Sequence, residues 1–103
     1  SRIAMALSMA IDELGTNAVK HGSLSMPQGR VLMDWAYVSP DNDVVRITWT
    51  ELDGPEPVVP TTKGFGPKII DQILAAETEG TVVIDYPQSG FTWCLELPLR
   101  QKA

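Results

Sequence analysis

Histidine and cysteine are nearly absent from this chain of 103 residues, which has one of each, His21 and Cys94. A single cysteine excludes an intrachain disulfide framework and a zinc cluster built on thiolates. A single histidine weakens a histidine-rich metal site and a serine-type triad alike. Basic residues are also few, eight Lys and Arg against thirteen Asp and Glu, for a formal net charge of −5. Such a chain lacks the cationic surface that sequence-independent nucleic-acid binding needs. A polyanion would have to be held locally, by a metal or by oriented backbone amides. No run of about 18 apolar residues occurs, so nothing reads as a membrane span. The start, Ser1-Arg2-Ile3-Ala4-Met5-Ala6-Leu7, is apolar, but it continues into Asp12-Glu13 without a small-residue cleavage site. It reads as a helix and not as a signal peptide. The missing initiator methionine reads as the mark of an excised fragment.

Apolar residues make up 44% and charged residues 20%, the balance of one soluble globular domain spanning 1–103. Residues 2–21 read as a helix, with Ile3, Leu7, Ile11, Leu14 and Ala18 forming an apolar stripe and Gly22 as the stop. Gly15, poor inside a helix, suggests a close backbone approach from elsewhere. Residues 30–38 and 44–51 read as a hairpin around Ser39-Pro40-Asp41-Asn42-Asp43. A loop over 52–66 holds Pro55, Pro57, Pro60, Gly54, Gly64 and Gly66, and loops of that length are usually functional. Residues 67–77 read as a helix with Pro67 in its first turn. Residues 81–86 and 91–99 read as a second hairpin. The order helix, strand, strand, loop, helix, strand, strand predicts an α/β chain, an α+β two-layer sandwich. Trp35, Trp49 and Trp93 read as core or half-buried strand residues, and Cys94 as a buried small apolar one.

Three places could carry chemistry. Glu13, Asn17 and Lys20 share one helix face at i, i+4 and i+7. A carboxylate, an amide and an ammonium there could hold a hydrated magnesium ion and phosphate oxygens, although an ordinary solvated face has the same pattern. Lys63-Gly64-Phe65-Gly66-Pro67-Lys68 precedes the second helix, whose free amides suit an anion. The same glycines would serve a plain turn into a helix. Trp49-Thr50-Glu51 ends the second strand, where a carboxylate could accept a hydrogen bond from an exocyclic amine, or simply close the strand before an Asp53-Gly54 turn. His21 fits a ligand, a base, or a cation at the negative end of the helix dipole.

In this order, the segments resemble the HWE-family sensor histidine kinases. Asp12-Glu13-Leu14-Gly15-Thr16-Asn17-Ala18-Val19-Lys20-His21-Gly22-Ser23-Leu24-Ser25 is similar to their N box. Trp49-Thr50-Glu51 is similar to their Trp-x-Glu signature, and Lys63 to Ile70 to their glycine box. The strand pair beginning at Gly80-Thr81-Val82 and closing on Leu97-Pro98-Leu99 is similar to their last hairpin. Two departures stand out: Asp12 replaces the usual N-box histidine, and Glu51-Leu52-Asp53-Gly54-Pro55 is a degraded first glycine box.

The resemblance implies the Bergerat ATP-binding fold, with helices on one face of a mixed sheet, and it implies ATP and magnesium. Asn17 would hold the metal, with Glu13 beside it. Lys20 and His21 would line the nucleotide pocket. Glu51 would read the adenine amine, with Asp53 as a substitute. Gly64 and Gly66, together with Phe65, Lys63 and Lys68, would wrap the phosphates at the end of a lid over 52–66. The γ-phosphoryl group would pass to a histidine on a separate dimerisation domain of the same protein, and from there to a response regulator. The resemblance also implies a bacterial cytoplasmic setting, no membrane contact by this segment, and no autophosphorylation by it alone. The chain is expected to be an N-terminally truncated piece of the fold. Two other functions fit the same motifs: a serine kinase of the anti-sigma type or plain ATPase of the same fold, and a degenerate docking module without catalysis.

Overall fold

The computed structural model describes residues 2–38, 43–58 and 65–99, and for 65–70 it describes the backbone. The first hairpin's turn at 39–42 and the lid residues 59–64, Lys63 and Gly64 among them, lie outside the described residues. The elements in chain order are α1 (Arg2–Lys20), a 3₁₀ turn (Ser23–Ser25), β1 (Arg30–Tyr37), β2 (Val44–Leu52), α2 (Phe65–Thr78), β3 (Thr81–Asp85) and β4 (Thr92–Pro98). Helices and hairpins fall where hydrophobic periodicity and turn residues place them.

The four strands form one sheet in the order β1-β2-β4-β3. Every described pairing is antiparallel, which corrects the expectation of a mixed sheet. The reason is topological. The crossover through α2 makes β2 and β3 run in the same direction, but β4 inserts between them and is antiparallel to both. No parallel neighbours arise among the described strands.

Register decides which side chains share the buried face, because directly opposed residues lie on the same side. Trp49 faces Trp93, Ile47 faces Leu95 and Val45 faces Leu97 across β2 and β4. Ile84 and Val82 of β3 face Trp93 and Leu95. Trp49, Trp93, Leu95 and Leu97 join Leu74 of α2 and Ala6, Ala10, Leu14 and Ala18 of α1 in the core. The buried line on α1 is thus rotated from the predicted stripe. It steps by four through three alanines and one leucine, with Leu7 and Ile11 packed at its edge. A Cβ on Gly15 would meet nothing within 4 Å, so no close approach accounts for that glycine.

The opposite face carries polar pairs beside exposed Leu32 and Val83. Arg46 and Glu96, opposed across β2 and β4, form an ion pair at 2.6 Å. Thr48 Oγ1 donates to Cys94 Sγ at 4.0 Å, and Cys94 is only partly buried, contrary to expectation. Edge strand β1 departs further. Met33, Trp35 and Tyr37 oppose Trp49, Ile47 and Val45, so they project to the helix side. Yet Trp35 is 64% exposed, with its ring set edge-on to Tyr37 at 5.5 Å. The core centres on β2 and β4 and takes only Val31 from β1. Trp35 is therefore not the core residue its strand position suggests.

Leu95 is fully buried in the interior strand β4, whereas Leu32 lies on the exposed side of β1. Leu95→Ala is expected to lower the unfolding free energy by about 2–5 kcal/mol. Leu32→Ala should change it by no more than about 0.5 kcal/mol. Urea denaturation of the two variants measures the contrast.

Candidate functional site

A cavity of about 590 Å³ opens where the end of α1, the turn after it, the end of β2, the lid's first residues, α2 and the β3–β4 hairpin meet. Its size is that of a small-molecule site. Glu13, Asn17 and His21 line it from α1 and the turn beyond. Glu51 lines it from β2, residues 54–58 from the lid, and Asp71 from α2. Tyr86, Phe91 and Trp93 complete it from the second hairpin.

Glu51 is the central residue. It stands near the end of β2 on the helix side, two positions after Trp49, so both side chains share a face. Only 4% of its surface is exposed. Its Oε1 accepts from the Ser23 backbone N–H at 3.0 Å, and its Oε2 accepts from Trp49 Nε1 at 3.0 Å. A buried carboxylate requires such partners. Its backbone N–H donates to the Phe91 carbonyl at 2.9 Å, which ties β2 to the second hairpin.

Two glycines allow this packing. A Cβ on Gly22 would strike Glu51 Oε1, and a Cβ on Gly90 would strike the Glu51 carbonyl. Gly90 also has φ of 147°, a backbone conformation that favours glycine. Gly22 follows α1 as predicted, but its φ is −103°, so it is not a left-handed cap. What it supplies is room for the carboxylate.

The structure brings Glu13, Asn17, His21 and Glu51 together on one wall system. Lys20 is exposed on α1 and does not line the cavity. Asp53 does not line it either. Its backbone is left-handed, with φ of 59°, and its carboxylate is 2.8 Å from Arg30 Nε in an exposed ion pair. Gly66 lies in the first turn of α2. The side chains of Phe65 and Lys68 lie outside the described residues, as do Lys63 and Gly64.

Sequence reasoning missed Asp71, Ser23, Tyr86 and Phe91. Asp71 is half-buried, and its Oδ1 accepts from Trp93 Nε1 at 3.1 Å. Burial pushes the Asp71 carboxyl above the ordinary aspartate range, and the Trp93 hydrogen bond only partly counters this. Burial also raises the Tyr86 phenol, with a smaller contribution from the charge on Asp71. Tyr86 and Phe91 flank the β3–β4 turn with ring centroids 5.4 Å apart. A signal for Asp71 was present: it lies three and four residues before Leu74 and Ala75, on the helix face that turns inward.

Removing the Glu51 carboxylate strands two donors, the Ser23 N–H and Trp49 Nε1. Glu51→Ala should cost about 2–4 kcal/mol in urea denaturation, and Glu51→Gln less, because one oxygen acceptor remains. Asp71 gives a pH signature. Its folded-state pKa is raised, so the folded chain holds the proton more tightly than the unfolded chain does. Its contribution to stability is therefore present below the ordinary aspartate pKa of about 4 and is lost as pH rises through the raised value. Asp71→Asn keeps an oxygen acceptor for Trp93 and removes the titration. The Tm advantage of this variant over the parent should be smallest near pH 4, widen as pH rises and then level off, as read by thermal scans at successive pH values.

Among known proteins, no family model matches the chain. Sequence relatives do. The blue-light-activated histidine kinase of Brucella ovis is 36% identical over 90 residues, covering 86% of this chain and 18% of that protein. Blue-light-activated histidine kinase 1 of Erythrobacter litoralis is 38% identical over 107 aligned positions, covering 97% of this chain and 28% of that protein. The chain thus spans less than a third of the length of either relative. Among solved structures, the histidine kinase domain of the Erythrobacter litoralis EL346 blue-light activated histidine kinase superposes with a TM-score of 0.73 at 19% identity. That match covers 95% of this chain and 45% of that one, and it establishes the shared fold. By sequence the chain is similar to a part of these blue-light-activated histidine kinases, and it has the fold of the histidine kinase domain it superposes on.

Proposed function

We propose that this chain is the ATP-binding catalytic domain of a bacterial sensor histidine kinase of the HWE type, acting in the cytoplasm. The observation that carries the reading is the convergence of Glu13, Asn17, His21 and the buried Glu51 on one cavity. The relatives are histidine kinases, which does not favour a serine kinase or a docking module.

The residues fit a magnesium nucleotide. Glu13 and Asn17 put two hard oxygen donors one helical turn apart on the cavity wall. No group of three His, Cys, Asp or Glu side chains among the described residues could hold a metal alone. That donor set suits a magnesium ion that keeps waters and takes phosphate oxygens as its other ligands. Magnesium, when bound, supplies charge neutralisation between the phosphates.

The chain's own residues do the rest. Glu51 has acceptor capacity only, and its position is held by Ser23 and Trp49, so it accepts from the adenine amine. Asn17 would hold the magnesium ion through its amide oxygen and leave its amide NH2 to donate to a phosphate oxygen, and Glu13 supplies the second acceptor of that wall. Tyr86, Phe91 and Ile84 give apolar contact to a flat ring. The start of α2 aims free amides at an anion, with Lys63 and Lys68 in the same segment. Phosphoryl transfer needs little covalent chemistry from the protein, so positioning and charge stabilisation are the contribution. The acceptor is a histidine imidazole on a dimerisation domain elsewhere in the full protein. The γ-phosphorus gains a bond to an imidazole nitrogen, its bond to the bridging oxygen breaks, and ADP leaves. A response regulator then takes the phosphoryl group.

Calorimetric titration of the chain with ATP, with and without magnesium, tests the reading. Magnesium should tighten ATP binding at least about tenfold, and Asn17→Ala should abolish that gain. A folded chain that binds no adenine nucleotide, or an Asn17→Ala variant that keeps the full magnesium effect, contradicts it.

A further inference from the structure

Strand β1 lies at one end of the sheet, and its outer edge is unpaired among the described residues. Its pairing with β2 fixes which backbone groups face outward. The Val38 N–H donates to the Val44 carbonyl at 3.0 Å, and the register places these two residues directly opposite each other. Hydrogen-bonded and non-hydrogen-bonded pairs alternate along an antiparallel ladder. Arg30, Leu32, Asp34 and Ala36 therefore bond to β2. Val31, Met33, Trp35 and Tyr37 turn their N–H and carbonyl groups to the free edge.

Free edges are normally blunted by proline, lysine, a bulge or a covering element. The eight residues of β1 include no proline or lysine, and their register with β2 is unbroken. The helices stop short of this strand, since Trp35 is 64% exposed on their side and Met33 and Tyr37 are exposed with it. Leu32 is 44% exposed on the other side. The sheet thus has room for one more strand.

The charges on β1 select that strand. Arg30 and Asp34 project from the outer face with Leu32 midway between them. An antiparallel copy of β1 centred on Leu32 sets Arg30 of each chain opposite Asp34 of the other, with Leu32 against Leu32 on the two-fold axis. These three residues bond to β2, so across the new edge they are the non-hydrogen-bonded positions, where side chains come closest. Val31 and Met33 exchange backbone hydrogen bonds with Met33 and Val31 of the copy. Trp35 falls opposite Gly29 of the copy, where a Cβ would strike the Ser23 carbonyl. An aromatic ring beside an edge glycine covers the backbone that glycine leaves bare. Arg30 pairs with Asp53 through Nε, which leaves its two terminal nitrogens for Asp34. Asp34 takes part in neither of the ion pairs among the described residues.

We propose that β1 is a self-association edge, through which two copies of this chain pair antiparallel about Leu32 and join their sheets into one. The contact is a short backbone ladder with an ion pair at each end, so the dimer is weak.

Sedimentation velocity of the chain from about 1 µM to about 1 mM is the test, and the chain should pass from monomer to dimer within that range. Leu32→Lys and Leu32→Glu each set like charges on the axis and should weaken association at least about tenfold. An equimolar mixture of the two variants should dimerise again, because lysine then meets glutamate. Asp34→Arg should weaken association likewise, and Arg30→Asp combined with Asp34→Arg should restore it. Thermal scans at the lowest concentration identify the variants that fold, and the comparison uses those. A parent that stays monomeric up to about 1 mM overturns the inference and leaves the edge to a strand from outside this chain. A dimer that neither the Leu32 variants nor Asp34→Arg weakens also overturns it. So does a failure of both the mixture and the charge exchange to restore association. None of these readouts involves nucleotide, so the result stands apart from the function proposed above.

Discussion

The buried carboxylate of Glu51 is the constraint on which the cavity depends. It lies near the end of a strand, out of water, and it must be satisfied. The partners that satisfy it come from two places, the turn after α1 through Ser23 and its own strand through Trp49. Its backbone adds a third, the second hairpin at Phe91. Gly22 and Gly90 approach its side-chain oxygen and its carbonyl too closely for any other residue. Three of the cavity's walls are thereby referenced to one residue. A side chain that pins the elements around it is itself held in place by them.

The cavity is acidic where its side chains are described. Glu13, Glu51, Glu56 and Asp71 line it, with His21 as the basic group. A polyanion entering such a site needs a cation with it or donors from the backbone. The chain's overall charge of −5 says the same at lower resolution. The two oxygen donors on α1 and the amides at the start of α2 lie on separate elements, with the first hairpin and the loop after it between them in the chain.

Much of the architecture was legible in the sequence, because periodicity of 3.6 and 2 and turn residues act locally. The pairing of Glu13 with Asn17 was legible for the same reason, since four residues make one helical turn. What could not be read depends on sheet order. Asp71 meets Trp93 only because β4 inserts between β2 and β3, and Tyr86 and Phe91 reach the cavity by the same insertion. Trp35 shows the converse error: an alternating tryptophan looks buried, but an edge strand lies beyond the helices' cover. Lys20 shares the helical spacing but does not line the cavity, because spacing gives a face and not its neighbour. Asp53 is left-handed just past the strand, and its carboxylate pairs with Arg30 instead of lining the cavity.

The polar groups buried around this cavity also differ in kind from those buried elsewhere. Thr78 is fully buried, but its hydroxyl closes the last turn of its own helix, so its burial serves the fold. Glu51, Asp71 and Ser23 do not use their side chains to close a turn of their own helix. One is a carboxylate with both oxygens engaged, one a carboxyl whose ionisation burial opposes, and one a hydroxyl with nothing to bond. A fold selected for stability alone would place apolar side chains at such positions. All three line the same 590 Å³ space from different elements, so the buried polar groups of the chain gather where that space is and not where the core is.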